Sequence, residues 1–390
     1  MKIFHMGDWH IGKLVNGFYM TEDQEYLLNE VCNLIEKERP DLLIMAGDLY
    51  DRALPPLAAV ELLDRMLPKI VLDLKTPVIV IAGNHDGRER VNFASSMLKK
   101  SGFYVTGLLK EKVEKLVLED EFGKINFYPI PFADVPVVRE IYKDENIKSP
   151  NDAMKRIVEE IDKEINLEER NIAIAHGYVT KMSEDGDFSK LEESESEKPI
   201  SIGGSDFIDY SIFKKFNYPA LGHLHSPQKV GEEKIRYSGS LMKYSFSEVN
   251  QKKGITILEI DKDGEISYRI HELKPLRDFR IIEGYYKDII SNYKEDKLNH
   301  EDYIKVVLLD EGELINPMEG LRSVYPNIME LTRKTRVLEA MSNKNIANID
   351  EKSRVKLFED FYENVMDEAP SEEELRILTE TIENLERREV

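Results

Sequence analysis

Five times between residues 8 and 225, an apolar strand-like run gives way to a short cluster of metal-ligand side chains. The clusters are Asp8-Trp9-His10, Gly47-Asp48-Leu49-Tyr50-Asp51, Gly83-Asn84-His85-Asp86, His176-Gly177 and Gly222-His223-Leu224-His225. One histidine after one strand is ordinarily a satisfied core or surface residue. Five such clusters, holding five of the chain's eight histidines, are not explained that way. They call for a fold that sets the ends of several strands side by side, as an α/β sheet does. Residues 42–46, 78–82 and 172–175 read as buried strands rich in β-branched side chains. Helical patterns lie between them. Thr21 and Gln24 resemble a capping box ahead of Leu27, Leu28, Val31, Leu34 and Ile35, and Asn151 opens a segment carrying Ile157, Val158 and Ile161. Alternation of this kind predicts an α/β fold.

The ligand types narrow the chemistry. Imidazole, carboxylate and amide oxygen without thiolate suit manganese, iron or zinc better than calcium or magnesium. Asp8 and His10 can reach one ion from a turn, and Asp48 can offer one oxygen to each of two ions. His223 and His225 would diverge on a strand, but both can turn inward from an irregular loop. Two ions about 3.5–4 Å apart clamp the attacking and leaving oxygens of an in-line phosphoryl displacement, with water as the nucleophile. If Asn84 coordinates through its amide, His85 is turned elsewhere and is free to protonate the leaving oxygen or steady the charge on phosphorus. Asp86 either orients that imidazole or stabilises the turn, while Asp51 reads as a supporting residue rather than a ligand. Trp9 and Cys32 read as structural, and His5, His271 and His300 as structural or exposed. Lys13, Arg52, Arg88 and Arg90 either meet phosphate or are solvated or ion-paired.

Composition bears on the setting. Cys32 is the single cysteine, which excludes a disulfide framework and a cysteine zinc site and fits a reducing cytoplasm. No apolar run approaches the roughly 20 residues of a membrane span, and the start of the chain does not read as a signal peptide. A soluble cytoplasmic protein is expected. The net charge of -21 argues against a large phosphate-binding surface on this chain alone. Residues 183–198, with Glu192, Glu193, Glu195 and Glu197, read as an acidic surface loop. Asp263-Gly264 reads as a hairpin turn.

The order of segments predicts three parts: 1–275, 276–340 and 341–390. Lys274-Pro275-Leu276 marks the first boundary, followed by a small α+β domain with strands near 280–282 and 303–309. The last part carries an apolar stripe of Val355, Phe358, Phe361, Tyr362 and Val365. After Pro370, Ser371 and Glu374 form a capping box for a helix bearing Leu375, Leu378, Ile382 and Leu385. These helices either fold back on the body or dock on a partner.

The motif order D-x-H, G-D-x-x-D, G-N-H-D/E, H and G-H-x-H resembles the calcineurin-like metallophosphoesterase superfamily. The flanks, residues 8–13, 47–52, 198–204 and 237–240, resemble the bacterial SbcD nucleases in particular, and the likeness is strong over residues 1–275. It implies a two-sheet metallophosphoesterase sandwich flanked by helices, with a small α+β capping domain and a C-terminal helical segment. It implies two Mn2+ ions, one held by Asp8, His10, Asp48 and His225, the other by Asp48, Asn84, His176 and His223, with His85 catalytic. The expected activity is duplex exonuclease and single-strand or hairpin endonuclease in DNA repair and recombination. The expected partner is an SbcC-type SMC-like ATPase bound through the C-terminal helices, with a homodimer inside a heterotetramer. Gly7 and Gly87 stand where the family commonly has small polar residues. Phosphatases and cyclic-nucleotide phosphodiesterases share every ligand, so the flanks and added domains carry the nuclease reading. A scaffold with structural metals would have no need for His85.

Overall fold

The computed structural model describes residues 1–181, 191–197, 207–312 and 314–334, together with 362, 370, 371, 373–377 and 379. Backbone contacts divide the chain into two units, Met1–Arg280 and Ile281–Val390.

The first unit holds two six-stranded sheets. One runs in the order Ile266–Glu272, Gly254–Ile260, Lys2–Met6, Leu42–Ala46, Val78–Ile81, Phe103–Thr106, and its last four strands are parallel. The other runs Gln228–Val230, Glu232–Tyr237, Tyr218–Gly222, Arg170–His176, Gly123–Ile130, Leu116–Asp120, with its middle four parallel. Parallel strands covered on both faces should be apolar throughout. Accordingly every residue of Leu42–Ala46, Val78–Ile81 and Arg170–His176 is buried.

The twofold period of a strand then divides the core. Leu42, Ile44, Ile79 and Ile81 meet Ile172, Ile174, Phe127 and Ala220 between the sheets. In the opposite phase, Tyr128, Ala173, Ala175 and Leu221 face a layer that includes Val138, Met154, Ile157 and Ile161 of the helices. The result is the expected two-sheet sandwich flanked by helices. At one end the strand termini of the two sheets nearly touch: a Cβ built on Gly222 would lie 1.9 Å from the Ala46 carbonyl oxygen.

Two helix starts differ from the sequence expectation. Thr21–Glu38 begins without a side-chain cap, because Gln24 is buried and bonded to a neighbouring loop. Pro150–Asp162 is capped by Ser149 in a reciprocal box with Asp152, two residues before Asn151. Asn151 Oδ1 instead accepts from the Asp209 amide at 2.9 Å. The hairpin at Asp263-Gly264 is formed, with Ile260 paired to Ile266 and Gly264 at φ +82°.

In the second unit the strands Phe279–Gly284, Tyr303–Leu308 and Ile328–Arg333 make a three-stranded sheet, with helices Tyr286–Asn292 and Pro317–Arg322. Ile289, Ile304, Val306, Leu321 and Ile328 fill its α+β core. Toward the chain end, Ser371 and Glu374 form the expected capping box. The stripe from Val355 to Val365 lies outside the described residues except Tyr362, as do Leu378, Ile382 and Leu385. No described helix is long and apolar enough to cross a membrane.

Candidate metal centre

All five ligand clusters sit at the strand ends that meet between the sheets. The turn after Lys2–Met6 is laid along the turn after Leu42–Ala46: the Asp8 and His10 amides donate to the carbonyls of Gly47 and Asp48, each at 3.0 Å. Asp8, His10 and Asp48 hold left-handed backbone, at φ +53°, +45° and +52°, which turns their side chains into the gap. Gly47, at φ +92°, has no room for a side chain, since a Cβ there would lie 2.3 Å from His176 Nδ1.

The side chains form two linked groups. Donor atoms of Asp8, His10 and His225 lie within 4.8 Å of one another, as do those of Asp8, Asp48 and His176. His10 Nε2 faces His225 Nε2 at 3.0 Å. Asn84 Oδ1 lies 2.8 Å from His176 Nε2 and 3.3 Å from His223 Nδ1. Asp48 joins the groups, its Oδ2 lying 3.6 Å from His10 Nε2 and 3.4 Å from His176 Nε2. His223 and His225 follow a strand that ends at Gly222, on irregular backbone with His223 at φ +112°, so both turn inward. Both oxygens of Asp8 accept the His223 amide at 3.0 Å. Asp8, His10, Asp48, His176 and His225 are buried.

His85 belongs to neither group, although its donor atom lies within 4.8 Å of those of His10 and Asp51. It is half-buried, packs edge-on to His10 with ring centroids 4.6 Å apart, and its amide donates to Asp48 Oδ1 at 2.8 Å. Its Nδ1 lies 2.7 Å from the Asp51 carbonyl. A carbonyl only accepts, so Nδ1 carries a proton and Nε2 is the exchangeable nitrogen. Of the two roles open to Asp86, the structure displays the turn-stabilising one, its carboxylate accepting the amides of Leu49, Tyr50 and Gly83 at 3.1, 3.0 and 2.9 Å.

The donor set fits divalent cations. His176 Nδ1 donates to the Ala46 carbonyl at 2.8 Å, which directs Nε2 at Asp48 and Asn84 as the nitrogen open to a cation. His10 Nδ1 is buried and has no hydrogen-bond partner among the described residues, with Asp51 Oδ1 3.7 Å away. A metal-bound imidazole commonly directs its other N–H to such a carboxylate or carbonyl. Electrostatics agree. Burial opposes the charge on Asp48, yet His176 outweighs it and holds that carboxyl well below its usual range. Burial likewise opposes charge on His176, but Asp48 and Asp8 push its pKa up to about 9. Burial pushes His223 down to about 3 and lowers His10 and His225. The Asp48 carboxylate thus draws positive charge to His176 among otherwise neutral imidazoles, while burial raises the Asp8 carboxyl well above its usual range; a divalent ion would supply the positive charge this site calls for.

The acidic segment expected as a surface loop is partly turned inward. Glu197 Oε1 accepts the His225 amide at 2.7 Å, and Ser196 Oγ lies 2.7 Å from His225 Nδ1. Gln24, Tyr244, Glu248 and Lys253 also support the site; only Gln24 was marked in the sequence, and there as a helix cap. Gln24 Nε2 donates to the His10 carbonyl at 2.8 Å and the Tyr244 hydroxyl at 3.0 Å, and Tyr244 donates to the Trp9 carbonyl. The basic neighbours of the motifs are engaged. Lys13 and Arg52 pair with Asp51, Arg88 pairs with Asp134, and Arg90 donates to the Ala53 carbonyl.

Comparison with known proteins agrees with this architecture. A sequence model of calcineurin-like phosphoesterases matches residues 1–227. A second, described as the type 5 capsule protein repressor C-terminal domain, matches residues 275–366. The chain is 36% identical over 368 residues to the SbcD component of the SbcCD nuclease of Staphylococcus epidermidis, covering 94% of each protein. Among solved structures, a dimetal phosphatase from Danio rerio aligns at a TM-score of 0.40 and 9% identity, over 71% of this chain and 98% of that one.

Proposed function

The chain belongs to the SbcD family of calcineurin-like phosphoesterases, and we propose that it is a manganese-dependent, two-metal nuclease that cuts DNA as a duplex exonuclease and a single-strand or hairpin endonuclease. The observation that carries the reading is the single carboxylate oxygen of Asp48 lying within 3.6 Å of an imidazole nitrogen on either side. In this assignment Asp8, His10, Asp48 and His225 hold one ion, and Asp48, Asn84, His176 and His223 hold the other. When bound, the ions neutralise the scissile phosphate and acidify the attacking water.

The chain's own residues do the rest. Asp51, through its carbonyl, fixes the His85 tautomer so that Nε2 is presented at the half-buried mouth of the site. From there His85, with a proton on both ring nitrogens, gives up the Nε2 proton to the departing sugar oxygen as the phosphodiester breaks, and keeps the one on Nδ1. The His85 amide, bonded to Asp48 Oδ1, ties the acid to the bridging carboxylate. Glycines at the strand ends allow this close approach.

DNA affinity must come in part from elsewhere. The chain carries a net charge of -21, and Lys13, Arg52 and Arg88 are paired with carboxylates. This supports an SbcC-type ATPase as the component that grips the duplex; in the proposed assembly it docks through the C-terminal helices, the second unit caps the DNA, and the complex acts in repair and recombination in the cytoplasm. A homodimer within that assembly is supported by an apolar face. Leu57, Val60, Leu72, Phe93 and Met97 are exposed, and Val60, Leu72 and Phe93 line a depression of about 410 Å³. Exposed apolar patches of this kind mark interfaces.

The test is cleavage of an end-labelled linear duplex by the purified chain with Mn2+, beside His85→Ala, each with and without the ATPase partner and ATP. Manganese-dependent cutting that the variant loses is the expected result. Hydrolysis of an aryl phosphodiester with no DNA cleavage under any condition would sink the nuclease assignment and keep the two-metal site.

A further inference from the structure

His225 is held by more of the protein than a ligand needs for its position alone. Its amide donates to Glu197 Oε1 at 2.7 Å, and its carbonyl accepts from Lys253 Nζ at 2.7 Å and from the Ser240 amide at 3.1 Å. Its Nδ1 lies 2.7 Å from Ser196 Oγ. Only Nε2 is left for the centre. We infer that Ser196 and Glu248 are positioning residues that decide which nitrogen of His225 is offered to the metal, and so how tightly one of the two ions is held.

Hydrogen counting decides the tautomer. Ser196 has a single hydroxyl hydrogen and three neighbours able to take it, Glu248 Oε1 at 2.6 Å, His225 Nδ1 at 2.7 Å and Ser194 Oγ at 2.9 Å. A carboxylate is acceptor-only and the stronger acceptor. The hydroxyl therefore donates to Glu248, and its free lone pair accepts from His225 Nδ1–H. That tautomer leaves the Nε2 lone pair pointing at the centre. The alternative, with Ser196 donating to Nδ1, would place a proton on Nε2, where it faces His10 Nε2 at 3.0 Å and excludes a cation.

Glu248 is built to stay an acceptor. It is fully buried, its Oε2 lies 2.6 Å from Lys253 Nζ, and its Oε1 also takes the Ser194 hydroxyl at 2.6 Å. Glu248 lies 3.6 Å from His225 Nδ1, too far for a hydrogen bond, so Ser196 is the link between them. Carboxylate, serine and imidazole form a relay of orientation, the arrangement that sets ligand tautomer in metal sites.

This rests on the two-ion reading, and the experiment separates the two. Mn2+ is titrated into the full-length chain and free ion is followed by electron paramagnetic resonance, for wild type, Ser196→Ala, Ser196→Thr and Glu248→Gln. The expected result is two sites in the wild type, with one weakened about 10–100-fold by Ser196→Ala, the range known for such supporting residues. Ser196→Thr, which keeps the hydroxyl, should restore it, while Glu248→Gln should weaken the same site. Wild-type binding of two ions with Ser196→Ala within twofold overturns the inference alone. Weakening that threonine does not rescue assigns the effect to packing and also overturns it. A wild-type chain that binds no Mn2+ overturns both readings.

Discussion

Asp86 offers a sharp test of how the loop bearing Asp48 is held. Its side chain is buried and accepts three amides, those of Leu49, Tyr50 and Gly83. Asp86→Ala removes both acceptor oxygens, and with them all three hydrogen bonds. The amides of Leu49 and Gly83 belong to buried residues, so water cannot replace the lost bonds, whereas Tyr50 is half-buried and partly can. An unsatisfied buried donor costs about 1–3 kcal/mol, so two give a loss of about 2–6 kcal/mol. Asp86→Asn keeps one acceptor oxygen but turns an N–H toward another donor, and should lose less than alanine. The assay is urea unfolding followed by fluorescence of Trp9, the single tryptophan, which is buried beside the metal-binding turn and reports on the first unit. Chelator throughout removes the contribution of bound metal. A loss below about 1 kcal/mol for alanine would refute the reasoning, because it would mean the loop keeps its shape without those bonds.

Two other changes follow from the same structure. Asp120 receives both terminal nitrogens of Arg170, at 2.9 and 2.6 Å, and the N-terminal ammonium at 2.9 Å, all nearly buried. Asp120→Asn should cost about 3–5 kcal/mol near neutral pH, as for a broken buried pair. Arg170 holds the Asp120 carboxyl below its usual range, so its contribution is present above the unfolded value of about 4 and is lost as pH falls through the native one. Unfolding titrations from pH 7 to 2 should therefore show the mutant and wild type converging in acid. Gly222→Ala would place a methyl 1.9 Å from the Ala46 carbonyl that receives His176, forcing the two strand ends apart. We expect at least about 1–3 kcal/mol of overpacking and weaker Mn2+ binding in the same titration, and binding equal to wild type would refute the contact.

The ligand clusters were legible because each is a local event, a few polar residues closing one buried strand. Parallel strands bring such ends together whatever the intervening sequence. The residues behind the ligands were not legible, since nothing near Gln24 in sequence tells that it will meet Tyr244. Gln24 shows how the local rule misled. Spacing from Thr21 made it a capping residue, but its burial beside the Gly12 amide, at 2.9 Å, outweighed the cap. Ser194, Ser196 and Glu197 were hidden by the charge of the segment around them. Burying a carboxylate becomes tolerable where amides receive it, and only the fold supplies those amides.

Backbone geometry adds a conclusion that residue types alone do not give. Asp8, His10, Asp48 and His223 all hold positive φ, a conformation that costs non-glycine residues about 1–3 kcal/mol each. Such strain persists only where surrounding bonds over-determine it. Here they do: amides and carbonyls of the Asp8 and Asp48 turns bond to one another, Gln24 and Tyr244 clamp the Trp9 and His10 carbonyls, and Asp8 accepts the His223 amide. Each of these bonds is between groups of the protein, and none needs an ion to form it. The placement of these side chains is therefore imposed by the fold and offset by its packing, as the proposed two-metal site would require. That is the condition under which a two-ion clamp loses least in ordering its ligands, and it explains why polar side chains far apart in sequence, such as Gln24 and Tyr244, converge on a turn they do not belong to.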